Sequence, residues 1–259
     1  MRFVFCVSAA LLLMTCGGSE VESVTASSGT TGTEASATTR EPPATTKEPP
    51  VPATPAKRCE PAPRRLCPTD EAHLDPSLVA FRERMVEAVN EKDAAKLAAL
   101  VDPAIRTSFG GEGGSAEFAK TWKLDSSDSP IWSELSEILQ LGGSFRGASQ
   151  RDSFWAPYVY ANWPDAVDAF EHVAAIRADI PIRATPDPTA KEVAVVDWEI
   201  LAVIRAPNQP ANPDWRHVRP ESGHEGWVRS ADVRSPIDYR AGFSKRSGQW
   251  KMDAMVAGD

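Results

Sequence analysis

Residues 180–233 read IPIRATPDPTAKEVAVVDWEILAVIRAPNQPANPDWRHVRPESGHEGWVRSADV, and this stretch decides the fold. Apolar and β-branched residues recur in short runs, of which the longest spans 193–204, and Pro, Asn and Gly separate the runs. Gly223 and Gly226 bracket a turn between two late runs. The pattern predicts five short strands, and closure of so small a sheet on itself removes its exposed edges. We therefore expect a small β-barrel over 173–236.

The order of these runs resembles a bacterial SH3 (SH3b) domain over residues 180–234. The matching pieces are Ile182-Arg183-Ala184 before a Pro-rich turn, the apolar runs within 193–204, Trp215-Arg216-His217-Val218, and Gly226-Trp227-Val228. The resemblance implies an SH3-like module that binds peptide or cell-wall material. Pro181 lies inside the first strand, and its missing N–H is tolerated only at a sheet edge, so we expect that strand at an edge.

Aromatic residues in this half are the candidate ligand contacts. Aromatic side chains with one polar edge suit extended peptide or sugar ligands. The alternative is that they form the barrel core, and strand alternation favours this interpretation for Trp215 and Trp227. An arginine near the first turn is a candidate for the rim of the same groove. The candidate set is Trp198, Trp215, Trp227, Tyr239 and Arg183.

The N-terminus carries an export pattern. Arg2 supplies a positive charge, and the mostly apolar residues 3–14 are too few to span a bilayer as a helix. Leu13-Met14-Thr15-Cys16 follows, and this end resembles the lipobox of a bacterial lipoprotein. The resemblance implies a signal peptide over residues 1–15 and lipidation of Cys16. The protein would then be exported and anchored to a membrane by lipid, in the periplasm or at the cell surface. An ordinary cleaved signal is the alternative.

Residues 16–57 are expected to form a disordered tether. They are rich in Ser, Thr, Ala, Glu and Pro and contain no aromatic residue, Leu or Ile. Such a segment cannot bury enough apolar surface to offset its ordering entropy.

Charge and cysteine content limit the partners and cofactors. A formal net charge of −8 and a pI near 5.2 argue against a nucleic-acid partner, which would require a basic face. Cys59 and Cys67 remain once Cys6 and Cys16 are assigned to the export signal. In an exported protein this pair predicts a disulfide. A metal site would need two further ligands, and only His73 is close in sequence, so we expect no metal and no cofactor.

Residues 58–172 are predicted to form a helical or mixed α+β region. Asp75-Pro76 is a helix start, and apolar residues at three- and four-residue spacing continue it until Asn90-Glu91-Lys92-Asp93. Further helices are expected over 94–101 and 115–124 and after Ser129-Pro130, with Gly142 ending the last of them. Residues 105–109 are a predicted strand, and 155–163 a strand or irregular core segment.

The opening helices and the chain end resemble nuclear-transport-factor-2-like (NTF2-like) domains. The resemblance covers residues 78–110 and the ending 239–259, where two alternating runs flank Arg246-Ser247-Gly248-Gln249. It implies an α+β unit whose curved sheet wraps a pocket. We expect residues 237–259 to form a hairpin that packs on the helical region. The predicted fold class is therefore α+β, with a helical or mixed region, a small SH3-like barrel and a C-terminal hairpin behind the tether.

No catalytic signature accompanies this architecture. The sequence contains no Gly-x-Ser-x-Gly elbow and no His-Glu-x-x-His pair. A cysteine peptidase needs a free Cys nucleophile, and Cys59 and Cys67 are expected to be oxidised. We therefore expect a non-enzymatic envelope lipoprotein whose partner is a cell-wall peptide or an envelope protein. The alternatives are an NTF2-like small-molecule or enzymatic pocket in the helical half, and a structural assembly partner.

Overall fold

The computed structural model describes residues 57–111, 113–147, 151–205 and 212–258. The predicted signal peptide, Cys16 and the tether before Lys57 lie outside these ranges. Within them the helices are α1 (Pro76–Asn90), α2 (Ala94–Leu100), α3 (Ser115–Thr121), α4 (Ile131–Gln140) and α5 (Tyr158–Ala161). The strands are β1 (Val101–Arg106), β2 (Ser144–Phe145), β3 (Ser153–Ala156), β4 (His172–Ala175), β5 (Ile180–Arg183), β6 (Glu192–Val196), β7 (Ile200–Val203), β8 (Trp215–Arg219), β9 (Gly226–Arg229), β10 (Val233–Arg234), β11 (Arg240–Arg246) and β12 (Gln249–Val256).

The helix boundaries follow from local capping chemistry. The Asp75 side chain accepts the backbone N–H of Ser77, and Pro76 occupies the first helical position, which needs no donor. Asp93 caps α2 by accepting the N–H groups of Ala95 and Lys96. Gly142 follows α4 with a φ of 67°, a conformation that glycine adopts without strain. The predicted starts of α1 and α2 and the glycine after α4 are confirmed.

Two predicted segments of the helical half differ in the structure. A strand was predicted over 105–109, but the observed strand, β1, begins at Val101 and ends at Arg106. It forms there because this part of the chain pairs in parallel with β12. Pro103 is compatible with β1 because this strand lies at the edge of its sheet. The aromatic segment around Tyr158 was expected as a strand or irregular structure, and it contains both β3 and the single-turn helix α5.

The C-terminal hairpin lies in the middle of a five-stranded sheet. The order of this sheet is β1-β12-β11-β3-β2, and the Arg246–Gln249 pair closes the hairpin. Phe154 and Phe243 are fully buried and join the core residues of α1 and α4 on one face. At the start of α1, Lys245 lies 2.9 Å from Asp75, and the Trp250 indole donates to the Ser77 hydroxyl at 3.0 Å. The hairpin therefore contacts the helices through both packing and polar bonds.

The second sheet has seven strands in the order β10-β4-β7-β8-β9-β5-β6, and it does not close on itself. Closure of five strands into a barrel was predicted, and that prediction is wrong. The physical reason is that β4 pairs with the free side of β7, and β10 then pairs with β4, so the sheet lengthens where closure would occur. All seven strands contribute buried residues to one apolar cluster, so the open sheet curves around a shared core. The fold is α+β.

Pro181 is accommodated although β5 is not an edge strand. Ala184 donates to the Lys191 carbonyl on the β6 side, so by alternation Pro181 faces the other neighbour, β9. On that side β5 pairs with β9 only at Arg183. The missing N–H of Pro181 therefore leaves no gap in a ladder.

The segment before α1 is attached to the seven-stranded sheet. Cys59 and Cys67 form a disulfide with their Cα atoms 5.6 Å apart, as predicted. Leu66 donates to the Trp198 carbonyl at 2.8 Å, and Ile200 donates to the Arg64 carbonyl at 2.7 Å. These two hydrogen bonds attach the disulfide loop to the turn before β7 and to the first residue of β7.

Candidate functional site

A groove of about 550 Å³ opens at one end of the seven-stranded sheet. The end of β7, the starts of β4 and β8, and the chain after β10 meet there. The residues that matter most for its chemistry are Phe170, Ile204, Trp215, Arg216, His217 and Trp227. The groove is partly open to solvent, and both polar and apolar side chains line it.

Two rings form a flat platform in this groove. His217 lies opposite Trp227 in the β8–β9 register, and the rings stack with centroids 4.8 Å apart and planes 11° from parallel. Next to this platform, β9 lies very close to β5, and this close approach depends on Gly226. A Cβ atom there would lie 2.6 Å from the Arg183 carbonyl oxygen and 2.7 Å from Ile182 Cγ2. Only glycine allows β9 to lie this close to β5.

Trp215 takes part in both the groove and the sheet. It lies opposite Arg229, whose guanidinium is 5.2 Å from the indole ring centre, a cation–π distance. Only 7% of Trp215 is exposed, whereas Trp227 is half-buried. Trp227 therefore offers more surface to a ligand, and Trp215 acts more as a wall.

Several charged groups around the groove already have polar partners. Arg205 lies 2.6 Å from Glu171, and the Asp238 carboxylate accepts the Ser235 backbone N–H at 2.9 Å. Glu225 lies 4.0 Å from His217 Nε2, and its hydrogen bond with Arg219 holds the pKa of Glu225 below its usual range. His217 Nδ1 is buried without a hydrogen-bond partner in the described part of the chain.

A second histidine in the groove is fixed in one tautomer. Arg64 Nη1 lies 3.1 Å from His172 Nε2, and His172 Nδ1 lies 2.9 Å from the Asp168 carbonyl oxygen. A guanidinium can only donate and a carbonyl can only accept, so Nε2 accepts and Nδ1–H donates. The disulfide loop thus reaches the groove through Arg64.

The structure brings three of the five predicted residues together. Trp215 and Trp227 line the groove, and Arg183 pairs with Trp227 in the neighbouring strand. The Arg183 guanidinium donates to the Ala190 carbonyl at 2.8 Å and faces Glu192 at 3.4 Å. Trp198 lies elsewhere, 8% exposed, in the turn before β7. Tyr239 is also apart, because its ring packs edge-on against Trp122, 4.7 Å away, at the helical core.

Several groove residues were not among the candidates. His217 could have been found from its place opposite Trp227 in a predicted hairpin. Phe170 and Ile204 had no such signal, because they come together through the pairing of β4 with β7, which local sequence does not reveal.

Other features of the described residues offer less chemistry. A hollow of about 680 Å³ runs along the outer face of α1, but its carboxylates at Glu87 and Glu91 already bind Lys96. No group of three His, Cys, Asp or Glu side chains in the described ranges could hold a metal ion. None of the helices there is long and apolar enough to cross a bilayer.

Comparison with known proteins gives little further information. No protein-family model matches the chain. No curated protein is similar to it in sequence. A solved structure titled as a variant of "Rd1NTF2_05", a designed NTF2-like protein, matches 71% of this chain and 100% of its own, at 11% identity and a TM-score of 0.26. At that score the likeness carries no argument about fold or function, and the SH3b and NTF2-like resemblances stay predictions.

Proposed function

We propose that this chain is a non-enzymatic, lipid-anchored envelope protein whose SH3-like sheet binds extended peptide or cell-wall material in the Trp215–Trp227 groove. The observation that supports the proposal most is the stacked His217–Trp227 platform in the groove. Flat aromatic rings with one polar edge provide contact area at low entropic cost, and they suit peptide backbones and sugar rings alike. The export pattern supplies the cellular setting.

A binding assay with the full chain tests the ligand class. Purified cell wall and the peptides released from it are incubated with the protein, and bound protein is measured against free protein. Trp227→Leu should weaken binding about tenfold or more, because a half-buried tryptophan in a groove is a typical hot spot. No binding of the parent protein would refute the proposed function.

A matched variant separates binding from stability. Trp155 is also a half-buried strand tryptophan, but it lies on β3 in the other sheet, and its ring covers Gly242. We expect Trp155→Leu to lower stability without weakening the interaction. If Trp227→Leu alters only the unfolding midpoint and binding persists, the groove is not the binding site.

The membrane anchor is tested separately. In a bacterium that processes lipoproteins, Cys16→Ser should move the protein from the membrane fraction to the soluble fraction, because the acyl chains have no other attachment point. An ordinary cleaved signal predicts no change in fractionation.

The two alternatives gain no specific support. Trp122 packs in the helical core and Tyr158 is fully buried, so neither lines a pocket. Trp132 is 4% exposed and contributes only to an open hollow of about 480 Å³ beside the start of α4, not to a deep pocket. The exposed large apolar residues in the described ranges are scattered over separate elements, as in ordinary surfaces. They are Leu74, Val86, Phe109, Phe170 and Val195.

A further inference from the structure

One cation in the groove has no ion-pair partner among the residues that the structure describes. Arg216 is exposed, and its guanidinium makes no hydrogen bond or ion pair with any described residue, although its backbone pairs with Val228 of β9. The other groove arginine, Arg205, is paired with Glu171. Among the described residues that line the groove, the carboxylate is Asp238, which accepts the Ser235 backbone N–H and forms no ion pair with Arg216. A ligand that enters this groove therefore meets a positive charge that no described carboxylate contacts.

Apolar surface lies next to this charge. Phe170 is 47% exposed at the groove, and Val173, Val203 and Val233 form part of its wall. An apolar side chain of a bound peptide would cover these groups, and water leaving that contact would strengthen a neighbouring charge pair. The site thus combines one unpaired cation and an apolar wall, and the His217–Trp227 stack lies on the opposite face of β8.

The net charge of the whole protein opposes the binding of an acidic ligand. At a net charge of −8 the protein repels anions at long range. A preference for an acidic ligand would therefore have to come from contact with Arg216 and not from the overall field. The role of Arg216 can therefore be tested directly. Removing an arginine far from the groove changes the net charge by the same amount but leaves the groove intact.

We infer that the groove selects an acidic peptide, in which a carboxylate side chain pairs with Arg216 and a neighbouring apolar side chain covers Phe170 and the valine wall. The inference rests on the proposed function, since it specifies the ligand of the same groove.

The test uses three blocked tripeptides with the sequences leucine–glutamate–leucine, leucine–glutamine–leucine and leucine–lysine–leucine. Each is titrated at millimolar concentration into the isotope-labelled full chain, and the indole N–H signals of Trp215 and Trp227 are followed by NMR. The glutamate peptide should bind about three- to fivefold more tightly than the glutamine peptide, as expected for one partly exposed charge pair. The lysine peptide should bind most weakly.

Two arginine variants locate the effect. Arg216→Gln should abolish the preference for glutamate, so that the glutamate and glutamine peptides bind this variant with equal affinity. Arg84→Gln removes the same charge from the exposed face of α1 and should preserve the preference. A preference that is lost in both variants would overturn the inference, because it would then arise from the overall field.

The outcomes distinguish this inference from the proposed function. Equal binding of the glutamate and glutamine peptides overturns the acidic preference but keeps a peptide-binding groove. If no peptide shifts either tryptophan signal, and the cell-wall assay is also negative, the proposed function itself fails. If vesicles containing phosphatidylglycerol shift both signals and peptides do not, the groove recognises anionic lipid, and the inference is wrong.

Discussion

Asp75 combines two roles in one side chain. It caps α1 by accepting the Ser77 N–H at 2.8 Å, and it pairs with Lys245 of the C-terminal hairpin at 2.9 Å. Burial alone would raise the pKa of Asp75, but the Ser77 hydrogen bonds and Lys245 together lower it from 3.8 to about 2. A carboxylate with a lowered folded-state pKa stabilises the protein above its unfolded value of 3.8, and this stability is lost as pH falls towards 2.

Asp75→Asn isolates the charge, because asparagine is an equally good helix cap. We expect the variant to lose about 2 kcal/mol of unfolding free energy at pH 7, and the difference from the parent to shrink between pH 4 and pH 2. Urea unfolding at several pH values measures this. Asp93→Asn is the control, because Asp93 caps α2 without an ion pair, and it should be nearly neutral throughout. A pH-independent loss at Asp75 would show that the Lys245 pair contributes nothing.

Among the elements, those with local causes were predictable. The starts of α1 and α2 follow from an aspartate beside the first turn, and the end of α4 follows from Gly142. The platform was partly predictable for the same reason, since Trp227 was a candidate in a predicted hairpin, but its partner His217 was not among the candidates. Strand β4 and the open order of its sheet depend on pairings between distant segments, which leave no signature in a short window. Alternation also could not show that Tyr239 packs towards Trp122 and away from the groove.

The disulfide loop is an element whose contribution can be measured. A loop closed over a sequence separation of 8 residues should stabilise the fold by about 2–3 kcal/mol through the entropy of the unfolded chain. Reduction should also speed hydrogen exchange of the Ile200 amide, which donates to the Arg64 carbonyl inside the loop. The Val203 amide donates to Glu171 and is the control, since its partner lies outside the loop. Unchanged exchange at Ile200 after reduction would mean that the segment holds its place without the disulfide.

For the whole molecule, Arg234 joins the helical layer to the seven-stranded sheet. It lies on β10 and is 4% exposed, yet its guanidinium reaches two glutamates of α4, Glu137 at 2.5 Å and Glu134 at 2.7 Å, and the Tyr239 carbonyl at 2.7 Å. Burial alone would lower the pKa of Arg234, but the hydrogen bonds and charges of both glutamates raise it. Arg234 therefore remains charged in the folded protein, and its charge is stabilised by two glutamates of α4, which are distant in sequence.

Arg234→Met should lower the free energy of unfolding by about 3 kcal/mol, because it removes the buried cation and leaves the carboxylates of Glu134 and Glu137 without a partner. Arg234→Lys should cost less, since it keeps the charge but cannot form the fork to both glutamates. Adding Glu134→Gln and Glu137→Gln to Arg234→Met should recover part of the loss, as the repulsion between the two carboxylates disappears. Urea unfolding of these variants measures the effect. A change below about 0.5 kcal/mol in Arg234→Met would show that apolar packing alone joins the two layers.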